Sequence, residues 1–394
     1  MKRATKRWLA AFAVLVGVLL VLKSLVCGIY LVDTASMEPT ILGQAGGERV
    51  LVVYDRTPPA RDDVVVVLRP GEDTPVVKRV AGLPGERVQL VDGDLLVGGK
   101  RLPPDAPRPR TIPVFDDRWQ DVESTFAPAP EARPFWTRKD GEWSLTARSP
   151  TGARATSRLE FRGEVKDSYL DAQHALVAGE TPVNDLALEF DLEQEEPGSR
   201  AFAQLSEMGD VFELALEFGS DGKLRASLLR HGEDASATPE TLGTRTLERG
   251  AAGWQRVRFS NIDNTLSFER DGVLLLQASY AENRYARADP RKEGHNRLPR
   301  ACIGGSAGLF GFRALRLERD LYYTPRGGFA TQRAADLGPD GYLLLGDNSA
   351  FSRDGREWGE TRAQEIVGRP VRVLWPLLQG RAIEGGVTPP PLLR

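Results

Sequence analysis

The feature that most restricts this chain is a run of fifteen uncharged residues, Trp8 to Leu22, preceded by Lys2, Arg3, Lys6 and Arg7. A helix rising 1.5 Å per residue over that run is about 22 Å long, short of a hydrocarbon core of roughly 30 Å. Apolar residues resume after Lys23-Ser24 and continue to Val32, and Lys23 can snorkel towards the headgroups to complete a span. A cleavable leader has the same basic start and short apolar core, but no Ala-x-Ala cleavage site follows this one. The basic flank sets the orientation. Residues 1–7 are therefore expected in the cytoplasm, residues 8–32 as a single-pass transmembrane anchor, and everything after residue 33 on the far side of the membrane.

Beyond the anchor the texture is that of β structure. Arg49 to Tyr54, Asp63 to Leu68, Pro75 to Val80, Val88 to Leu90 and Leu95 to Val97 are apolar, mostly β-branched runs, with Asp92-Gly93 as a hairpin turn. From Leu102 to Pro134 the chain carries eight prolines. That density cannot sit inside a sheet, so residues 112–134 are expected as a linker closing a first β unit at 33–111. Residues 135–325 hold further strands, at Leu186 to Leu192, Val211 to Phe218, Lys223 to Leu229, Trp254 to Phe259, Thr265 to Glu269, Val273 to Ala278 and Ala307 to Leu317. Asp221-Gly222 and Asp271-Gly272 fall at hairpin positions, and the close spacing argues for an inserted β-sandwich. The chain then returns to the first unit over 326–380, through Tyr342 to Leu345 and Ile366 to Pro376, and ends in a proline-rich tail at 381–394. The fold class expected is thus mainly β: a transmembrane helix, then a β core interrupted by a β-sandwich of jelly-roll type. A net charge of −3, with basic residues massed only at the N-terminus, gives no sign of nucleic-acid binding. Cys27 and Cys302 form neither a disulfide framework nor a metal motif, and no cofactor is expected.

A serine does nucleophilic chemistry only where a neighbouring group takes its proton. Ser36 lies in Asp33-Thr34-Ala35-Ser36-Met37-Glu38-Pro39-Thr40, directly after the apolar segment. The three histidines, His174, His231 and His295, have no serine beside them in a catalytic-looking context. A lysine does the same work when burial disfavours its charged form and lowers its pKa. Lys78 is the candidate, because it lies in the strand-like run from Pro75 to Val80, which leads into a Gly/Pro turn at Gly82-Leu83-Pro84-Gly85. Strand alternation puts Lys78 and Arg79 on opposite faces, so one points inward while the other stays in water. A polar, glycine-bounded loop, Gly346 to Gly359, follows the apolar Tyr342 to Leu345, and functional residues collect on such loops.

Together these three runs resemble the type I signal peptidases, membrane-bound serine/lysine proteases that remove leader peptides from exported proteins. Ser36-Met37-Glu38-Pro39-Thr40, then Lys78-Arg79-Val80-Ala81-Gly82-Leu83-Pro84-Gly85, then Gly346-Asp347-Asn348 with Ser352-Arg353-Asp354-Gly355-Arg356-Glu357-Trp358-Gly359 occur in the family's order. The resemblance covers roughly residues 8–103 and 340–376. It implies Ser36 as nucleophile, Lys78 as general base and Ser352 as a hydroxyl that orients the lysine. It also implies an oxyanion hole from the Ser36 amide and the Thr34 hydroxyl, a structural ion pair between Asp354 and Arg356, and substrate contacts at Met37 and Pro39. Thr34-Ala35 stands where the family often has Ser-Gly, and threonine keeps the hydroxyl. The implied enzyme sits in the bacterial inner membrane with its catalytic part outside the cytoplasm, and its partners are preproteins and the bilayer.

The middle of the chain lies outside that resemblance. Gly304 to Phe312, after a strand pair joined by Asp271-Gly272, looks like the closing part of concanavalin- or laminin-G-like jelly rolls. Such folds bind glycans or proteins, or simply pack. The same glycines satisfy G-x-S-x-G at Gly304 to Gly308, but a nucleophile elbow needs a helix after it, and the following residues alternate like a strand. The rival reading of the whole chain is a membrane-tethered glycan- or protein-binding β-sandwich with a relic peptidase core. A self-cleaving serine/lysine repressor would need a DNA-binding domain where this chain carries its apolar segment.

Overall fold

The computed structural model describes residues 25–394 together with positions 8, 12, 14 and 17, leaving aside 45, 92, 102–110, 148–155, 172, 195, 208, 233–236, 251–252, 282–299, 376–382 and 384–394. Two compact units are present: Met1–Leu102 with Tyr323–Arg394, and Pro103–Tyr322.

The first unit is built on a seven-stranded antiparallel sheet, in the order Cys27–Val32, Glu48–Val53, Ile366–Trp375, Val64–Val67, Val76–Gly82, Gly341–Leu345 and Thr361–Arg362. A smaller sheet joins Ala335–Asp336, Arg87–Val91, Asp94–Val97 and Lys100–Arg101. Most of the strands expected between residues 48 and 97 are present within a residue or two, because β-branched runs bounded by turn residues leave few other conformations. In the central pair, Val64 faces Arg79, Val65 faces Lys78 and Val66 faces Val77. Val65, Val67 and Val80 pack with Tyr342 and Leu344, whereas Val64, Val66 and Val77 pack with Met37, Ile41, Val50 and Val52. Apolar clusters therefore cover both faces of this part of the sheet, which decides the fate of the two adjacent cations described below.

One expected element is corrected here. The end of the proposed anchor, Cys27–Val32, is a strand paired in register with Glu48–Val53, from Cys27 opposite Val53 to Val32 opposite Glu48. Its side chains alternate, with Ile29 and Leu31 exposed and Val32 buried, so the apolar count in that stretch reflects a sheet edge. Among the described residues no helix is long and apolar enough to cross a membrane, and most of the expected span lies outside the described residues.

The second unit is a two-sheet β-sandwich. One sheet runs Trp136–Lys139, Glu142–Thr146, Leu309–Asp320, Leu186–Gln194, Gln255–Ile262, Thr265–Arg270 and Val273–Ser279. The other runs Glu240–Glu248, Lys223–His231, Asp210–Phe218, Arg200–Glu207, Ala301–Ser306, Thr156–Phe161 and Phe126–Pro128. Their inner faces share one core rich in Phe and Leu, including Phe190, Phe212, Phe259, Phe268 and Phe312. At Asp271-Gly272 both residues adopt positive φ, 52° and 78°, the geometry of the tight hairpin turn anticipated there. Gly304 to Gly308 runs from the end of the strand Ala301–Ser306 through a short turn into Leu309–Asp320 of the other sheet, with no helix after it and so no elbow.

The proline-rich stretch at 112–134 is not a linker. Thr111–Asp116 pairs with the Leu309–Asp320 strand, and the register shifts where Glu318 faces Pro113. Proline is tolerated at such an edge because the shift removes the need for its missing N–H. Pro128 ends a three-residue strand, and Pro130 and Pro134 lie in the 3-10 turn Pro130–Phe135. The sandwich therefore begins near residue 103 and not at 135.

Candidate active site

Ser36 is held in a single 3-10 turn, Ala35–Met37, between the Cys27–Val32 strand and the buried Ile41. The turn is closed by the Glu38 amide, which donates to the Ala35 carbonyl, and by the Ile41 amide, which donates to Met37. The Ser36 carbonyl accepts from the Asn348 amide at 3.1 Å, so the loop after Gly341–Leu345 grips the serine directly.

The Lys78 ammonium donates to Ser36 Oγ at 2.8 Å. Both side chains are out of water, Ser36 at 6% and Lys78 at 3% exposure. Burial pushes the lysine down from 10.5 to about 8; the carboxylates of Asp354 and Asp347 oppose this, and the Arg356 guanidinium adds to it. Thr34 Oγ1 lies 3.2 Å from Ser36 Oγ, and its side chain faces the exposed side of the turn. The three sequence runs, separated by up to about 300 residues, thus meet at Ser36, the second at its hydroxyl and the third at its carbonyl.

Several expectations change. Arg79 does not stay in water: it is 2% exposed, because the second face of its strand is also covered. Its guanidinium pairs with Asp347 through Nε at 2.6 Å and through Nη2, and Nη1 donates to the Asp62 carbonyl at 2.7 Å. Met37, expected against substrate, is fully buried in the apolar cluster with Ile41 and Val52, since the turn that presents Ser36 drives the next side chain inward. Pro39 is only half-buried. Ser352 Oγ is buried yet makes no hydrogen bond among the described residues, so the expected contact with the lysine is not formed. It packs instead over Gly346, where a Cβ would lie 2.1 Å from Ser352 Oγ and 2.5 Å from the Ser36 carbonyl oxygen.

Asp354 and Arg356 form the expected buried pair, through Nε at 2.8 Å and Nη2 at 2.8 Å. Asp354 also accepts from the Gly346 and Arg356 amides. Arg356 spends its remaining donors on Thr324, Ser349 and Ser352. This knot fixes the loop from Gly346 to Arg356 by charge-assisted bonds in a dry environment. Sequence reasoning missed Asp347, which neutralises Arg79, and Glu38 and Glu48, buried carboxylates on either side of the turn after Ser36. Glu38 sits within the serine motif itself, and an acidic residue in an apolar setting was the available signal.

The cysteines and the two described histidines take no part in this hydrogen-bond network, and His295 lies outside the described residues. Cys27 and Cys302 are free thiols, and burial raises Cys302 to about 12. His174 stacks on Trp119 and His231 pairs with Glu213, both within the sandwich.

Residues 5–135 match the family described as signal peptidase, peptidase S26. Over 164 residues the chain is 32% identical to signal peptidase I of Bacillus licheniformis, covering 38% of this chain and 82% of that protein. It is 33% identical over 109 residues to signal peptidase I S of Bacillus subtilis strain 168, covering 26% of this chain and 54% of the relative. With signal peptidase IB of Staphylococcus aureus strain COL it shares 32% over 103 residues, again 26% of this chain and 52% of the relative. The chain spans most of the first relative and about half of the other two. Solved structures with some likeness include a carbohydrate binding module from Bacillus subtilis, at TM-score 0.30 and 6% identity over 46% of this chain and 90% of that one. A Bacillus licheniformis beta-glucanase has a TM-score of 0.34 and 10% identity, over 55% and 100% of the two chains. The motif order, the convergence of the motifs on Ser36, and an alignment that covers four-fifths of the Bacillus licheniformis protein lead to one assignment: this chain belongs to the signal peptidase I family.

Proposed function

We propose that the chain is a membrane-anchored serine endopeptidase that cuts leader peptides from exported preproteins, with Ser36 as nucleophile and Lys78 as general base. The observation that carries this reading is the 2.8 Å contact between Lys78 Nζ and Ser36 Oγ inside an apolar sheet. At that distance a neutral amine accepts the serine proton as Oγ attacks the peptide carbonyl. Negative charge developing on the carbonyl oxygen falls to the Thr34 hydroxyl, on an exposed residue two positions before the nucleophile, and to the Ser36 amide. The protonated lysine then returns its proton to the leaving amine. Water, deprotonated by the same lysine, releases the acyl group and restores the hydroxyl. Desolvation leaves the amine neutral often enough to be ready, and the two buried aspartates keep its pKa from falling further, so that it stays basic enough to take the proton.

An anchor at residues 8–24 would hold Ser36 close to the outer face of the bilayer, where the end of a leader emerges, and so raise the effective concentration of the scissile bond. The test is to incubate the detergent-solubilised chain with a leader-bearing preprotein and follow the shorter product. Formation of that product by the unmodified chain and its loss in Ser36→Ala support the assignment. No product under conditions where the chain is folded, or equal product from Ser36→Ala, would overturn it.

A further inference from the structure

The turn from Leu42 to Gly47 carries no catalytic group, yet it is held more tightly than a surface turn requires. Three successive amides are bound by two buried carboxylates: Leu42 donates to Glu48 Oε2 at 2.8 Å, and Gly43 and Gln44 donate to Glu38 Oε1 at 2.9 and 2.8 Å. Glu38 and Glu48 are 1% and 2% exposed. The turn is pressed against the backbone that leads to the serine. A Cβ on Gly43 would lie 1.8 Å from the Thr34 carbonyl oxygen and 2.6 Å from the Thr34 nitrogen, and a Cβ on Gly47 would lie 2.4 Å from the Val32 carbonyl oxygen. Only glycine permits such an approach at these two points.

We propose that Glu38 and Glu48 are positioning residues: by gripping the Leu42–Gln44 amides they clamp Gly43 onto the Thr34 peptide and so fix the Thr34 hydroxyl beside Ser36. A carboxylate accepting amide hydrogens in a dry site makes strong bonds, and the peptide plane of Thr34 has no room to rotate under Gly43. The Thr34 hydroxyl, 3.2 Å from Ser36 Oγ, is thereby held where charge develops during acyl transfer. This rests on the reading of Thr34 as an oxyanion donor.

The experiment is a double-mutant cycle on the full chain in detergent micelles, measuring kcat and KM for a leader-bearing preprotein with Glu38→Leu, Thr34→Val and both together. Glu38→Leu is expected to lower kcat by roughly tenfold or more, up to the roughly 10²–10³ that outright loss of an oxyanion donor gives, with KM and the pH midpoint of the acidic limb unchanged. Glu38→Gln, which retains an acceptor oxygen, recovers most of that loss. In the Thr34→Val background Glu38→Leu adds less than about threefold, since residues acting as one unit are not additive. If Thr34→Val lowers kcat but Glu38→Leu costs the same factor in both backgrounds, the clamp is refuted while the role of Thr34 stands. If Thr34→Val leaves kcat untouched, the oxyanion reading of Thr34 fails and the clamp falls with it. Should Glu38→Leu not fold, Gly43→Ala, which pushes directly on the Thr34 peptide, takes its place in the same cycle with the same coupling expected and additivity as the refuting result.

Discussion

Titrating Lys78 is the perturbation that tests the site most directly. With a pKa of about 8 in the free protein, the amine is half neutral at pH 8. By the same equilibrium it is about one-tenth neutral at pH 7 and about one-hundredth at pH 6. An unperturbed lysine at 10.5 would be neutral about 300-fold less often at pH 7, so burial contributes about 3 kcal/mol to having the base ready. The assay is initial-rate cleavage of a preprotein by the detergent-solubilised chain between pH 5.5 and 9.5. The acidic limb of kcat/KM, which reports the free enzyme, is expected to rise with unit slope through a midpoint near 8. The limb of kcat should lie at or below it, because a bound substrate removes further water from the amine. Lys78→Met should leave only a residual rate without this limb. A midpoint near 10, or a flat profile across pH 6–9 at saturating substrate, would refute the claim that desolvation prepares the base.

Four further outcomes follow from the same site. Ser36→Ala and Lys78→Ala each abolish cleavage while retaining the β-rich circular-dichroism spectrum, and near-normal turnover by either folded variant contradicts the dyad. The folded value of Lys78 lies below its unfolded value, so the cost of burying the charge is full below about pH 8 and is relieved as pH rises towards 10.5. Lys78→Met should therefore stabilise the catalytic unit by up to about 3 kcal/mol at pH 7 and by little at pH 10.5, read from denaturant midpoints at the two pH values. Asp354→Ala leaves the guanidinium of Arg356, 1% exposed, without its carboxylate and should cost about 3–5 kcal/mol in the same measurement. Gly346→Ala forces a methyl group against Ser352 Oγ and the Ser36 carbonyl and should destabilise by about 1–3 kcal/mol, with a larger loss of turnover than of folded protein.

The parts of this protein that sequence made legible are those written in local chemistry. Valine runs bounded by Gly and Pro specify strands wherever they pack, and Asp271-Gly272 specifies its hairpin. Alternation correctly separated Lys78 from Arg79 but could not tell how many faces of their strand are covered. That depends on Tyr342 and Leu344 arriving on one side and Met37 and Ile41 on the other, from segments far away in sequence. Arg79 is buried only because Asp347, 268 positions later, comes to meet it. The prolines at 113, 128, 130 and 134 misled for a related reason, since a proline's effect depends on whether its missing N–H faces an edge, a register shift or a ladder. Cys27–Val32 continued an apolar run, and composition does not distinguish the end of a helix from an edge strand whose alternate residues are exposed.

The order in which the motifs leave the ribosome gives the insertion a temporal meaning. Ser36 and Lys78 are made early, but Asp347, Ser352, Asp354 and Arg356, which surround the amine, lie beyond the whole sandwich at residues 103–322. At roughly 5–20 residues per second, the delay between Lys78 and this loop is on the order of ten to fifty seconds of translation. Until the loop arrives, the lysine lacks the strand and the carboxylates that enclose it and stays an ordinary hydrated cation. On the proposed serine/lysine reading, proteolytic competence is thus deferred until the loop beyond the intervening domain has been made.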